Sequence, residues 1–298
     1  MSKEIRFKTE IKDMNRELIK KIESREVRRE LKAKTKDIVY LNKIFVLRFN
    51  AEDKGNAFEK LERDVDMTIL NSKSGDAVYM IIKSPGGSVT AYANAAQQIN
   101  RLRAHGLKVT GFVDEVAASG GYMMASVCDR IVAQPFAFVG SIGVVSQVPI
   151  FEEVLTKIGV DVRVYTAGTN KRSVVPTKIP SEAEETVFKQ KLVEIHTAFK
   201  NHVLQYRPMI NPEKLMEGDF YMAQDVLKEH LVDEIGDSRS AILKAFKDGA
   251  QLYQVNTDVK AKSGGLAGLF GLDAVLETSI GKAIDKLFSM SHPNESIR

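Results

Sequence analysis

The sequence is poor in the residues that build covalent or metal-held frameworks. It has one cysteine, Cys128, which excludes an intramolecular disulfide and a cysteine-rich zinc site. Its five histidines are scattered without a close cysteine or histidine partner, so no metal-ligand spacing is present. The 43 basic and 39 acidic residues leave a net charge of +4, which is too small to indicate a nucleic-acid-binding protein by itself.

Signals for export and for membrane insertion are also lacking. The first twenty residues alternate charged and apolar side chains, whereas a signal peptide requires an uncharged core of about 7–15 residues. The longest uncharged stretch, residues 131–151, is long enough to span a membrane, but prolines and glycines interrupt it. We therefore interpret it as buried strands and tight turns. The sequence predicts a cytoplasmic protein without a transmembrane segment and leaves peripheral membrane association open.

What the sequence does contain is a main domain, residues 38–245, in which apolar runs alternate with helical patterns. The run DAVYMIIK (76–83) is typical of a strand buried on both faces. Further strands are predicted at 43–50, 108–116, 131–134 and 162–167, and helices after the first strand, at about 90–104 and at 181–206. This alternation predicts an α/β fold with crossover connections.

Two extensions flank the main domain, and each contains a helical pattern. In residues 1–37, apolar side chains recur at helical spacing from Ile11 to Ile22, which predicts a charged amphipathic helix. This helix is either solvated with one docking face or part of an oligomer contact or tether. In residues 246–298, a linker at 260–265 precedes an amphipathic helix between Leu272 and Phe288. Its mixed charges favour packing on protein over lying on a membrane surface.

Two segments of the main domain contain adjacent glycines. In SPGGSV (84–89), Gly86 and Gly87 follow a strand directly, so their N–H groups are expected to point outward. The segment is either an anion-binding turn or an ordinary tight turn. In VAASGGYMMAS (116–126), Ser119 precedes Gly120 at the start of a helical stretch. Ser119 is either a nucleophile, with the Gly120 N–H stabilising an oxyanion, or simply a helix N-cap.

A third segment, TAGTNKRS (166–173), supplies a base that could complete such a site. Serine is a poor nucleophile unless a base takes its proton, and none of the three segments contains histidine. A lysine that burial keeps neutral can replace histidine, although most loop lysines are solvated surface groups. In this hypothesis Ser119 attacks a carbonyl group, and Lys171 takes its proton and passes it to the leaving amine. The N–H groups of Gly120 and of Gly86 or Gly87 hold the oxyanion.

These segments together, with VGSIGVV (139–145) between the second and the third, resemble the S49 serine peptidases, and the SohB branch most closely. The resemblance covers roughly residues 38–245. It implies that Ser119 is the nucleophile and Lys171 the general base, and that Gly86, Gly87 and Gly120 lie at the oxyanion hole. It also implies a fold similar to that of Clp protease and crotonase, built from repeated ββα units.

The same resemblance implies a function and an assembly. S49 peptidases are endopeptidases that cleave peptides and unfolded or membrane-released protein segments without a metal or organic cofactor. They form homo-oligomers, in some of which the serine and the lysine of one dyad come from different subunits or repeats. SohB-type proteins usually have an N-terminal membrane anchor, which this sequence does not show. His230 and Met222 stand where glycine is common in the family, at a cost of about 1 kcal/mol wherever φ is positive.

Two other functions remain open from the sequence. A crotonase-like enzyme would use the same backbone oxyanion hole for an acyl-CoA thioester and would not need Ser119 and Lys171 together. A structural or scaffold protein could retain the fold with a degenerate site. The intact serine and lysine segments favour the peptidase.

Overall fold

The computed structural model describes residues 9–21, 24–25, 28–29, 43–53, 57–168, 171 and 174–257. The chain divides into two compact units, Met1–Val259 and Lys260–Arg298, and the whole second unit lies outside the described residues. The predicted linker at 260–265 and the predicted helix between Leu272 and Phe288 therefore lie outside them as well.

Strands of the first unit form two sheets. In chain order they are β1 (Thr9–Asp13), β2 (Lys43–Asn50), β3 (Ala77–Lys83), β4 (Lys108–Val113), β5 (Val116–Ala118), β6 (Arg130–Ala133), β7 (Phe138–Gly140), β8 (Phe220–Met222), β9 (Glu234–Ile235) and β10 (Gln251–Thr257). The large sheet has the order β1-β10-β2-β3-β4-β6-β9, and the small sheet has the order β5-β7-β8. In the large sheet every neighbouring pair is parallel except β1 with β10.

Helices cover both faces of the large sheet. In chain order they are α1 (Met14–Lys20), α2 (Ala57–Asn71), α3 (Val89–Ala104), α4 (Gly120–Ser126), α5 (Glu152–Lys157), α6 (Glu182–Tyr206), α7 (Pro212–Leu215) and α8 (Ser238–Lys247). Successive residues of β2 point to opposite faces. Phe45 and Leu47 pack into the core that α2, α3, α4 and α6 share, whereas Val46 packs with side chains of α1 and α8. Burial on both faces explains the apolar runs of the central strands.

The chain alternates between the two sheets in a repeated order. From β4 it passes to β5 and then to α4, and from β6 it passes to β7. After β3, Ser84 forms a single parallel bridge with Ala117 of β5, and α3 follows. Each of these segments therefore runs from a strand of the large sheet to a strand of the small sheet before the chain turns back. This order confirms the α/β class and the repeated ββα units that the resemblance implied.

The two predicted extensions differ from expectation because each contributes a strand to the large sheet. Ile11 was expected on a helix, but it lies in β1 and pairs with Val255 of β10. The edge of β10 would otherwise leave a row of backbone groups unpaired, and β1 satisfies them. The helix begins only at Met14, where the Asp13 side chain accepts a hydrogen bond from the Arg16 N–H. Residues 9–20 and 251–257 thus belong with the predicted main domain, whose limits of 38–245 are too narrow.

The prediction of a strand at 162–167 is wrong. Among the described residues this segment has no strand partner, and its side chains are exposed: 40% for Val162, 39% for Val164 and 86% for Tyr165. Alternation of apolar and polar residues satisfies the pattern of a strand, but a strand also needs a neighbour with which to pair.

Residues 144–180, which we call the arm, expose much apolar surface in their described part. The side chain of Val145 is 83% exposed and that of Ile158 is 63% exposed, and α5 buries none of its residues. Apolar side chains exposed in this number on one segment are typical of a protein–protein contact. Within the described residues, no helix combines the length and the apolar content needed to cross a membrane.

The predicted long helix is confirmed as α6. Ser181 is its N-cap, and its hydroxyl accepts a hydrogen bond from the Glu184 N–H at 3.4 Å. The Glu184 carboxylate accepts one in return from the Ser181 N–H at 2.8 Å, which completes the capping box. Of its apolar side chains, Phe199 is buried, whereas Ile195 is 36% exposed.

The two positions where the family commonly has glycine differ in their backbone. His230 has a φ of 65°, a conformation that glycine adopts without strain, whereas Met222 has a φ of −70°. His230→Gly is therefore expected to raise the free energy of unfolding by about 0.5–1 kcal/mol, because relief of strain exceeds the added chain entropy. Met222→Gly is expected to lower it by about 1 kcal/mol. Urea denaturation measures both, and destabilisation by His230→Gly would contradict the argument.

Candidate active site

Ser119 lies on the sharp turn between β5 and α4 with an unusual backbone. Its φ is 51° and its ψ is −120°, a combination that costs a non-glycine residue about 1–3 kcal/mol. The Ser119 N–H donates to the Gly140 carbonyl oxygen at 2.8 Å, and its own carbonyl oxygen accepts from the Met123 N–H at 3.0 Å. These bonds fix the strained turn from both sides.

The Ser119 side chain does not cap the helix that follows it. No hydrogen bond joins it to a backbone N–H of the first turn of α4, and its hydroxyl makes none with any other described residue. The interpretation of Ser119 as simply an N-cap therefore has no support in the geometry. Backbone strain at a residue whose side chain makes no stabilising hydrogen bond is the pattern found at functional residues.

The turn at Gly86 packs directly against Ser119. Gly86 has a φ of 103°, and a Cβ atom placed on it would lie 2.6 Å from the Ser119 Cβ and 2.9 Å from the Gly120 nitrogen. No side chain fits in that space or adopts that φ without strain. Glycine at position 86 is therefore what lets the turn after β3 approach the turn before α4.

The N–H groups of the three glycines predicted for the oxyanion hole are not equivalent. The Gly86 N–H already donates to the Ser84 hydroxyl oxygen at 3.1 Å. The N–H groups of Gly87 and Gly120 make no hydrogen bond with any described residue. Gly120 is the first residue of α4, where a helix leaves its N–H groups unsatisfied. Two unpaired donors thus lie on the turns that flank Ser119.

Ser119 opens onto a cavity of about 660 Å³. Gly87 and Val89 line it on one side, and Val144 and Val145 of the arm line it on another. A cavity of this size, lined by both polar and apolar side chains, is typical of a site that binds an organic ligand or a segment of peptide.

Sequence reasoning missed two residues that line this cavity, Ser141 and His196. Ser141 also has a positive φ, 51°, and its N–H donates to the Asp219 carbonyl oxygen at 2.7 Å. It lies within VGSIGVV, so the motif contained its signal, whereas the single histidine on α6 gave none.

His196 does not serve as a base for Ser119 through its Nε2 atom. That nitrogen lies 2.9 Å from the Ile142 carbonyl oxygen and 2.8 Å from the Met216 carbonyl oxygen. Because both partners are acceptors, Nε2 carries the hydrogen and donates it. The ring thus ties α6 to two segments beside the cavity. This agrees with the expectation that histidine is not the base here.

Glu217 also lines the cavity, and its negative charge is paired with that of a nearby lysine. Its carboxylate accepts a hydrogen bond from the Lys200 ammonium at 3.0 Å. That hydrogen bond, with the charge of Lys200, lowers the pKa of Glu217 from its ordinary value. The carboxylate therefore stays ionised and paired at neutral pH.

Lys171 is exposed on a turn of the arm. Its N–H donates to the Gly168 carbonyl oxygen at 3.1 Å, and its side chain is not among those that line the cavity of Ser119. The single chain therefore brings Ser119 and the three predicted glycines together. The pairing of Ser119 with Lys171 stays a prediction.

The fold and this site define a class of protein: an α/β chain that presents a strained serine between two glycine turns. Comparison with protein families narrows the class. The model of Peptidase family S49 matches residues 101–252, and that of the Peptidase family S49 N-terminal region matches residues 3–99. The chain belongs to peptidase family S49.

Individual relatives agree with this membership. A probable protease SohB of Haemophilus influenzae is 42% identical over 205 residues, covering 69% of this chain and 58% of its own length. A probable protease SohB of Buchnera aphidicola from Schizaphis graminum is 34% identical over 228 residues, covering 76% of this chain and 67% of its own. The chain spans about three fifths of the first curated relatives, 58% and 61% of their lengths.

Among solved structures, a mutant of the 1510-N membrane-bound stomatin-specific protease aligns with a TM-score of 0.44 at 16% identity. The alignment covers 68% of this chain and 84% of that one.

The close approach at Gly86 yields a matched test. Gly86→Ala places a methyl group against the Ser119 side chain and the Gly120 nitrogen, and it is expected to lower cleavage of a fluorogenic peptide about 100-fold, as loss of the Gly120 N–H as an oxyanion donor would. Gly106 is the control, because it also has a positive φ, 85°, and its Cβ would meet the side chain of Ser74. Gly106→Ala is expected to lose comparable stability and to keep its rate within about twofold. Equal losses of activity in the two variants would contradict the role of Gly86.

Proposed function

We propose that this chain is a serine endopeptidase in which Ser119 is the nucleophile and Lys171 the general base. The observation that carries the proposal is the state of Ser119: its backbone is strained, its hydroxyl is unused, and unpaired N–H groups lie on both neighbouring turns. Membership of peptidase family S49 supports the same chemistry.

The reaction follows from these groups. The Ser119 Oγ attacks the scissile carbonyl carbon while Lys171 takes the hydroxyl proton. The carbonyl oxygen becomes negative, and the N–H groups of Gly87 and Gly120 stabilise it. Lys171 then gives the proton to the leaving amine, and the C–N bond breaks. Water, deprotonated by the same lysine, hydrolyses the acyl-enzyme and restores Ser119.

In this scheme Gly86 has a different role from Gly87 and Gly120. The Gly86 N–H donates to the Ser84 hydroxyl, so Gly86 positions the turn, and Gly87 supplies the N–H that stabilises the oxyanion. An acyl-CoA enzyme would need the same donors but not Ser119, whose strain then has no purpose. The geometry therefore favours the peptidase.

The substrate class follows from the cavity and the family. Apolar side chains at Val89, Val144 and Val145 line it, which favours apolar or small substrate side chains near the cleaved bond. We infer that the substrates are peptides and unfolded or membrane-released protein segments, because an extended chain presents its backbone to a serine that lines such a cavity.

We further infer that the active protein is a homo-oligomer and that Lys171 comes from a neighbouring subunit. A lysine acts as a base only as a neutral amine, which burial favours. In the single chain Lys171 is exposed, and so is the apolar surface of the arm around Val145 and Tyr165. A second copy that covers the arm would bury both.

Subunit mixing tests the dyad and its location together. Ser119→Ala and Lys171→Ala are each expected to lower peptide cleavage at least 1,000-fold, in line with the cost of removing a nucleophile or its base. The two inactive variants, unfolded and refolded together, are expected to regain part of the wild-type rate. Each mixed pair then contains one intact Ser119 beside one intact Lys171.

Lys189→Ala is the matched control, since Lys189 is an exposed lysine on α6 whose ion-pair partner is Glu185. It is expected to keep the wild-type rate. No recovery on mixing, with both variants folded and oligomeric, would place the dyad within one subunit. Wild-type activity in Ser119→Ala would overturn the proposed function itself.

A further inference from the structure

The two glycine turns of the candidate site are joined behind it by one buried residue, Ser84. Ser84 follows β3 directly and is 0% exposed. Its N–H donates to the Val116 carbonyl oxygen at 2.9 Å, and its carbonyl oxygen accepts from the Ala118 N–H at 3.0 Å. Its backbone is therefore paired with β5, the strand that ends one residue before Ser119.

The hydroxyl of Ser84 turns the other way. It accepts the Gly86 N–H at 3.1 Å and shares a hydrogen bond of 2.5 Å with the Tyr92 hydroxyl. Ser84 thus holds the Gly86 turn with its side chain while it holds β5 with its backbone.

Tyr92 extends this contact to the oxyanion glycines. It lies on α3 and is 2% exposed. A Cβ atom on Gly120 would lie 2.4 Å from the Tyr92 Cγ, and one on Gly87 would lie 3.1 Å from its Cε2. The ring therefore packs against both of the glycines that carry unpaired N–H groups.

The hydroxyl group of Tyr92 is the part of this side chain that the ring packing does not require. Its ring packs edge-on against Phe49 and Phe58, with centroids 6.1 Å and 5.1 Å away, so a phenylalanine at position 92 would fill the same space. A buried hydroxyl in an aromatic cluster is unfavourable unless it is hydrogen-bonded. Its partner here is the residue that holds the Gly86 turn.

We propose that Ser84 and Tyr92 are positioning residues that fix the Gly87 and Gly120 N–H groups for the developing oxyanion. The inference rests on the proposed function of Ser119. Its physical basis is that an oxyanion hole stabilises the transition state only where its donors are already oriented. Ser84 sets the Gly86–Gly87 turn through its hydrogen bonds, and Tyr92 sets the spacing of both glycines through its ring.

The test removes single hydroxyl groups. Tyr92→Phe and Ser84→Ala are each expected to lower kcat for a peptide about 10-fold and to leave KM within about twofold, because misplaced donors weaken only transition-state binding. The double variant is expected to lose no more than Ser84→Ala alone, since the Tyr92 hydroxyl acts on the Gly86 turn through the Ser84 hydroxyl.

Tyr122→Phe is the matched control. Tyr122 is also fully buried, and its hydroxyl donates to the Leu231 carbonyl oxygen at 2.8 Å, a bond that no glycine of the site shares. It is expected to lower the melting temperature as much as Tyr92→Phe does and to leave kcat unchanged. Equal losses of kcat in the two variants would overturn the proposal, because the effect would then follow stability alone.

A second readout does not depend on catalysis. Exchange of the Gly86 amide hydrogen, which the Ser84 hydroxyl holds, is expected to become at least 10-fold faster in Tyr92→Phe and to stay at the wild-type rate in Tyr122→Phe. Unchanged exchange in Tyr92→Phe would overturn the positioning role even in a protein without peptidase activity. If the wild-type protein cleaves no peptide but exchange is still faster in Tyr92→Phe than in the wild type, the positioning role stands. Only the proposed function is then contradicted.

Discussion

Two backbone hydrogen bonds join Ser84, at the end of β3, to Val116 and Ala118 of β5, and the candidate site depends on them. They bring a strand end of the large sheet beside the first strand of the small sheet. As a result, the Gly86 turn lies against Ser119, and the N–H groups of Gly87 and Gly120 lie on turns that flank one hydroxyl. The buried strands of the large sheet keep this arrangement fixed, because β3 and β4 are held on both faces.

The site therefore combines a rigid part with an exposed part. Ser119 and its glycines are placed by the core of the sheet, and the backbone strain at Ser119 is balanced by the packing around it. Lys171 lies on the arm, which buries little of its own apolar surface. The division agrees with a catalytic base that acts only after the arm is covered by a second copy of the chain, since burial favours the neutral amine, the form of lysine that can accept a proton.

Much of the fold and half of the site could be predicted from local pattern. The apolar run of β3, the turn at Gly86 and the capping box at Ser181 are each determined by residues close in sequence. The pairing of β1 with β10 could not be predicted, because it joins residues more than two hundred positions apart and depends on an edge that only the folded sheet creates. The strand expected at 162–167 failed for the converse reason: its alternating pattern was present, but a partner strand was not among the described residues.

The residues missed at the site share a physical cause. Ser141 follows β7, His196 lies on α6 and Tyr92 lies on α3, and only the fold brings them to the cavity or to the glycines behind it. His230 shows the opposite case, since a missing family glycine in the sequence pointed to a positive φ that the backbone does have. Sequence patterns thus report local backbone requirements more readily than convergence of distant side chains.

The central claim is that the Ser119 hydroxyl is the reactive nucleophile, and peptide-resolved labelling with a fluorophosphonate measures this most directly. The account predicts one adduct per reactive chain, on the tryptic peptide that contains Ser119, and none in Ser119→Ala. An adduct on another serine of the cavity, such as Ser141, in a protein that cleaves peptides would contradict the account.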